Sequence, residues 1–255
     1  MPDRPITLPS ADRVAPATAP TAVVSIAAAR RWHLDRRWGT PAGKPLPLAR
    51  VFDRETDPDA PTVNLTERLT KVVEDIALRC PTFAHLRPAE LLVTFTAARN
   101  RRHYGLLARV TPMRFRNGAP TRRSRGLVYQ VQRFTVDGRE MLYLVTFCLP
   151  RFLDQCYEQK LVTIFHELYH ISPAFDGDLR RHPGRYEVHS KSKKAYDAEM
   201  LTLVRAYLLH HPEPERLAFL HRRAAELRKA PLNLVGVVVP RPKMIPVGPA
   251  PAKPV

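Results

Sequence analysis

The chain has 255 residues, 44% of them hydrophobic, which is enough for one substantial domain with appendages or two small ones. Its 41 Lys and Arg against 24 Asp and Glu leave a formal net charge of +17, a balance that suits an anionic partner or reflects an arginine-rich background. Three cysteines far apart with no CxxC exclude a disulfide framework and a zinc ribbon, and the early apolar run at residues 22–29 is too short to span a membrane and follows a poor signal peptide, so a cytoplasmic protein is expected.

Residues 1–60 are rich in Pro, Ala, Arg and Asp without a sustained period, and a largely disordered arm is expected there. Within it, "ARRWHLDRRWG" reads as a short docking helix, because Trp32 and Trp38 are costly to expose. "VNLTERLTKVVEDIALRC" has helical spacing at Leu65, Leu69, Val72 and Ile76, with Asn64 or Thr66 as cap and Pro81 as stop. "ELLVTFTAAR" and "YGLLARVTPMRF" read as strands. "GLVYQVQRFTVDGREMLYLVTFCLP" reads as one hairpin turning at Asp137 and Gly138, with residues 141–147 apolar enough for a doubly covered strand.

Pro150 is expected to open a helix that runs through "EQKLVTIFHELYHI" and stops before Pro173. Loop residues follow, then an amphipathic helix in "KSKKAYDAEMLTLVRAYLLHH" and another in "PERLAFLHRRAAELRK". Residues 231–255 read as a Pro-rich basic tail, with "LVGVVV" pairing at a sheet edge. The domain proper is thus expected over 61–230.

The segment HELYH carries the chemistry. Residues four apart share a helix face, so His166 and His170 can aim their imidazoles at one ion. Glu167, displaced by one residue, falls beside that ion, where a carboxylate can move a proton as general base. Two histidines, one further ligand and an open position make a catalytic zinc site, so Zn2+ is the expected cofactor. For the third ligand, His189 competes with His182 and with the carboxylates Asp176, Asp178 and Glu187. His189 is favoured because it stands just before a helix that packing would hold. A histidine six residues after His170 would mark a metzincin, but that position is Asp176. Tyr186 or Tyr196 could donate to a developing oxyanion or simply pack in the core. Asp176, Asp178 and Arg180 read as a loop network, with one acid placed to orient a ligand histidine.

From residue 91 to 136 there is no acid, and ten arginines fall in that stretch: Arg99, Arg101, Arg102, Arg109, Arg114, Arg116, Arg122, Arg123, Arg125 and Arg133. With His103, Tyr104 and Phe115 interleaved, the segment 99–133 suits DNA or another polyanion, or else forms a solvated arginine-rich surface.

The stretch "TIFHELYHISPAFDGDLRRHPGRYEVHSKSKKAYDAEM" resembles the phage-type metallopeptidases, a minimal zincin family related to the SprT-like zinc proteases. The likeness is sharp over residues 141–200. It implies an α+β zincin-like domain with a mixed or antiparallel sheet, an HExxH active-site helix and flanking helices. It also implies zinc on His166 and His170, with Glu167 as general base. The SprT-like pattern would place His189 as third ligand, although the SprT-like zinc ribbon is missing here. The expected function is zinc-dependent hydrolysis of a protein or peptide substrate; the alternative is a nucleic-acid-binding protein with a structural or vestigial metal site.

Overall fold

The computed structural model describes residues 24–25, 37–39, 46, 48–52, 57–98, 104–181, 193–210 and 212–251. Strands β1 (Val24–Ser25), β2 (Arg37–Gly39), β3 (Leu48–Arg50) and β4 (Thr62–Asn64) precede helix α1 (Leu65–Arg79). Seven strands follow: β5 (Leu91–Ala97), β6 (Ala108–Pro112), β7 (Thr121–Ser124), β8 (Leu127–Val131), β9 (Arg133–Val136), β10 (Arg139–Glu140) and β11 (Tyr143–Leu149). The chain then forms α2 (Tyr157–Tyr169), α3 (Lys193–Leu209), α4 (Pro214–Leu217), α5 (Ala224–Lys229), β12 (Asn233–Val237) and β13 (Met244–Pro249). The class is α+β. Among the described residues the strands form four small sheets, ordered β1-β3-β12-β4, β10-β9-β2, β5-β11-β6 and β13-β8-β7.

Helix α1 begins where its cap residue dictates. The Asn64 side chain accepts from the amides of Thr66 and Glu67, which satisfies two of the helix's orphan donors. The apolar stripe Leu65, Leu69, Val72, Val73 and Ile76 is buried, as its spacing predicts.

The sheet beneath the site is built around β11. All seven of its residues are buried. It pairs in parallel with β5, Tyr143 opposite Leu91, and antiparallel with β6, Phe147 opposite Ala108. Tyr143, Val145, Phe147 and Leu149 face the main core, and Leu144 belongs to a smaller cluster with Leu92, Met113, Phe134 and Met141. That double cover is why the run is apolar on both faces.

The single hairpin expected around Asp137 and Gly138 is corrected here. Those two residues do form a turn with φ of 49° and 77°, as a primed turn requires. Past it, however, β10 is only two residues long, and β11 leaves to join β5 and β6. β9 alternates, with Phe134 buried in the smaller cluster and Arg133 turned to Glu140, so it cannot by itself cover a strand buried on both faces. β8 instead forms a hairpin with β7 through Arg125 and Gly126, at φ of 49° and 75°.

Four other expectations change. The helix bearing HELYH starts at Tyr157, and residues 150–155 form turns tied by the Phe152 amide to the Cys148 carbonyl at 2.9 Å. The long last helix breaks into α4, a short 3-10 segment at Ala218–His221, and α5. β12 lies between β3 and β4, an interior place where an edge was expected. It passes so close to β5 that a Cβ at Gly236 would come within 2.6 Å of the Phe95 ring. Of the expected docking helix, residues 29–36 lie outside the described residues and Arg37–Gly39 is a strand. No described helix is long and apolar enough to cross a membrane.

Candidate metal centre

Helix α2 is held by its buried face. Leu161, Ile164, Phe165 and Leu168 enter the core, where Phe165 meets Phe83 edge-on at 5.2 Å and Tyr207 at 5.6 Å. This rotation turns His166 and Glu167 toward a cleft of about 670 Å³, whose lining includes Leu106, Ala108, Val162 and Asp197. His170 is the C-cap residue, and its carbonyl accepts the Arg180 amide at 2.7 Å.

The two imidazoles converge. Their Nε2 atoms are 3.0 Å apart, with the rings nearly perpendicular at 77°. Such a contact is a hydrogen bond in which one Nε2 donates and the other accepts. It is also within a few tenths of an ångström of the ~3.3 Å expected for two nitrogens on one tetrahedral zinc. The Asp197 Oδ1 atom stands 3.9 Å from His166 Nδ1, on the far side of the ring from Nε2. At that distance it makes no hydrogen bond to the ring, and it stands away from the Nε2 pair, not where a third ligand would be.

Glu167 is buried, and its Oε2 accepts the Val110 amide of β6 at 2.7 Å. Burial pushes its carboxyl up to about 7, and the Val110 hydrogen bond only partly opposes that shift. Tyr196 of α3 is buried against both histidines, stacked on His170 at 17° and edge-on to His166 with centroids 4.7 Å apart. Burial raises its phenol pKa, so the hydroxyl stays protonated.

The loop after His170 forms a network that joins Asp176 and Asp178 but takes in Arg181 in place of Arg180, whose Nε donates to the Tyr169 carbonyl at 2.7 Å. Tyr143 Oη accepts the Gly177 amide at 2.9 Å and donates to the Asp178 carbonyl at 2.8 Å. The Asp178 carboxylate accepts from the Asn117 amide at 3.0 Å and from Arg181 at 3.1 Å. Among the described residues no three His, Cys, Asp or Glu side chains form a group able to hold a metal, which removes Asp176 and Asp178 as third ligand. His182, Tyr186, Glu187 and His189 lie outside the described residues. Asp197 was not singled out from the sequence. Its signal is faint: an acid next to Tyr196 in a helix whose buried positions are Tyr196, Met200, Val204 and Tyr207.

A buried lysine braces the same helix. Lys160 Nζ donates to the carbonyls of Leu220 at 2.8 Å and Arg222 at 2.6 Å. Burial lowers its pKa from 10.5 to about 8. Because the folded value lies below the unfolded one, the unfolded chain binds more protons between those pH values, and stability rises with pH there. Denaturant unfolding of wild type and Lys160→Met should show the gap between them shifting in favour of wild type by about 1–3 kcal/mol from pH 7.5 to 10. A pH-independent gap would contradict a charged, desolvated Lys160.

No protein-family model, curated protein or solved structure matches this chain.

Proposed function

We propose that this chain is a zinc-dependent peptidase. The observation that carries the reading is the convergence of two imidazole Nε2 atoms 3.0 Å apart beside a buried carboxylate, at the wall of a cleft. His166 and His170 would hold the ion, and His189 is the residue we assign as third ligand. The donor chemistry fits: two imidazoles on one helix face with their Nε2 atoms converging. When bound, zinc would supply Lewis-acid polarisation of a scissile carbonyl and acidify water near neutral pH.

The protein's own groups then have defined tasks. Glu167 takes a proton from water at a carboxylate oxygen and returns it to the leaving amine. Tyr196 holds both imidazoles in place by ring packing. β6 is one of the two outer strands of its sheet, and its Val110 amide already points off that edge to Glu167. Ala108, two residues earlier on the same edge, offers its amide to an extended substrate, and Pro112 ends the pairing because it has no N–H. An antiparallel outer strand beside the HELYH helix agrees with a zincin-like arrangement. A purely structural metal site would have no use for a buried Glu167 at a cleft.

The test is metal content with activity. Purified wild type should hold one zinc per chain and cleave a casein-type substrate. Chelation should stop cleavage, and zinc should restore it. His166→Ala, His170→Ala and His189→Ala should each lower zinc occupancy at least tenfold at micromolar free zinc. Full occupancy in His189→Ala would remove it from the ligand set, and wild type without zinc or cleavage would end the reading.

A further inference from the structure

The arginines of the acid-free segment are not equivalent. Arg114 and Arg133 are committed to Glu140, at 2.7 Å and 3.8 Å. By contrast, Arg122, Arg123 and Arg125, on β7 and the turn after it, are exposed and carry no ion pair among the described residues. The third strand of that sheet comes from the far end of the chain. Arg241 and Lys243 lead into β13, and both are exposed without an ion pair among the described residues. The Lys243 carbonyl accepts the Gln132 amide at 2.8 Å, which extends the β13–β8 pairing to that residue. Residues 91–136 and 227–255 contain no Asp or Glu, so nothing on the sheet offsets these five cations.

Register places apolar groups between the cations. Arg122 and Pro246 lie on either side of Tyr129, and Met244 lies opposite Val131. Alternation puts Leu127, Tyr129 and Val131 on one face with Arg122, Pro246 and Met244, while Arg123, opposite Val128, and Lys243, level with Gln132, start from the other face along the outer strands β7 and β13. Met244 is 53% exposed and Leu127 37%. The Arg122 guanidinium lies over the Phe115 ring at 5.3 Å and reaches Met244 Sδ at 3.6 Å. The face is about 17 Å by 10 Å from strand geometry, room for a few stacked bases.

We propose that this face of the β7–β8–β13 sheet binds single-stranded nucleic acid, independently of the metal centre. Arg122 on this face and the cations at its outer edges meet phosphates, and the strip of half-buried Tyr129 with exposed Pro246 and Met244 stacks bases. An acidic peptide would use the charges but not the apolar strip. A duplex would hide its bases from that strip.

The test uses the full chain and a fluorescent 20-mer of dT, by anisotropy between 50 and 200 mM KCl. Arg122→Ala/Arg123→Ala/Arg125→Ala should weaken binding at least tenfold at 100 mM and lower the log–log salt slope by about 2, since each single-strand phosphate contact contributes ~0.7. Tyr129→Ala should weaken it several-fold without changing the slope. A charge-matched control, Arg68→Ala/Lys71→Ala/Lys229→Ala, should change affinity less than twofold. Thermal melts confirm that each variant is folded. Absence of binding, equal losses in both triple variants, or a duplex or poly-glutamate bound as tightly as dT would overturn the proposal.

Discussion

Glu167→Gln should lower kcat/KM for a fluorogenic peptide by about 10³-fold, in the range that general-base catalysis contributes, while leaving zinc content and melting temperature near wild type. The expectation rests on what the substitution keeps. Glutamine has the same shape, and its Oε1 can still accept the Val110 amide that now donates to Glu167 at 2.7 Å. Both imidazoles are untouched, so the residues that would hold zinc remain. Only the capacity to take a proton is lost, since an amide is no base near neutral pH. Glu167→Ala is the wrong comparison: it would leave the Val110 amide without its acceptor and open a gap beside β6, mixing a folding defect with a chemical one. A Glu167→Gln protein within tenfold of wild type, at equal zinc content, would show that another group moves the proton.

How much of this was legible in the sequence depends on how local each signal is. Helix α1 was readable because a cap, a stop and an apolar stripe fall within one short window, and Asn64 makes the cap hydrogen bonds its position promised. The strand at β11 was readable because a seven-residue run that is apolar except for Thr146 demands cover on both faces. Its partners were not, because parallel pairing with β5 is decided by distant residues. The β7–β8 hairpin was missed since its turn puts Arg125 at φ 49°, a conformation for which arginine gives no signal. The C-terminal segment looked like a tail because its prolines mask the pattern; yet Val235 and Val237 are buried, and β13 is paired along β8. At the site, HELYH was plain from spacing alone. Asp197, thirty-one residues after His166, is joined to it only by the packing of α3 on α2.

That packing sets the other large effect. Asp75→Ala should destabilise the fold by about 3 kcal/mol, read from denaturant unfolding, because a buried polar group loses its only strong acceptor and a cavity remains. Asp75 is 2% exposed, and its carboxylate accepts the Tyr207 hydroxyl at 2.7 Å and Arg79 Nε at 2.9 Å. The two partners respond differently to its loss. Arg79 keeps 29% of its side chain in solvent and can rehydrate. Tyr207 is fully buried, and its hydroxyl would be left without the carboxylate. Tyr207→Phe should therefore cost less, about 2 kcal/mol, since a hydrogen bond to a charged acceptor is lost while the ring still fills its place. The double variant should lose clearly less than the sum, because each single change removes the same bond. The consequence reaches the candidate metal centre along the helix. Tyr207 anchors the end of α3, and Tyr196 and Asp197 lie on that helix about 16 Å away. Releasing the anchor lets α3 shift against α2, so Asp75→Ala should also weaken zinc binding, whereas Tyr207→Phe, with its ring packing on Phe165 intact, should hold zinc as wild type does. A destabilisation below 1 kcal/mol in Asp75→Ala, or additive losses in the double variant, would show that the α1–α3 tie does not depend on this carboxylate.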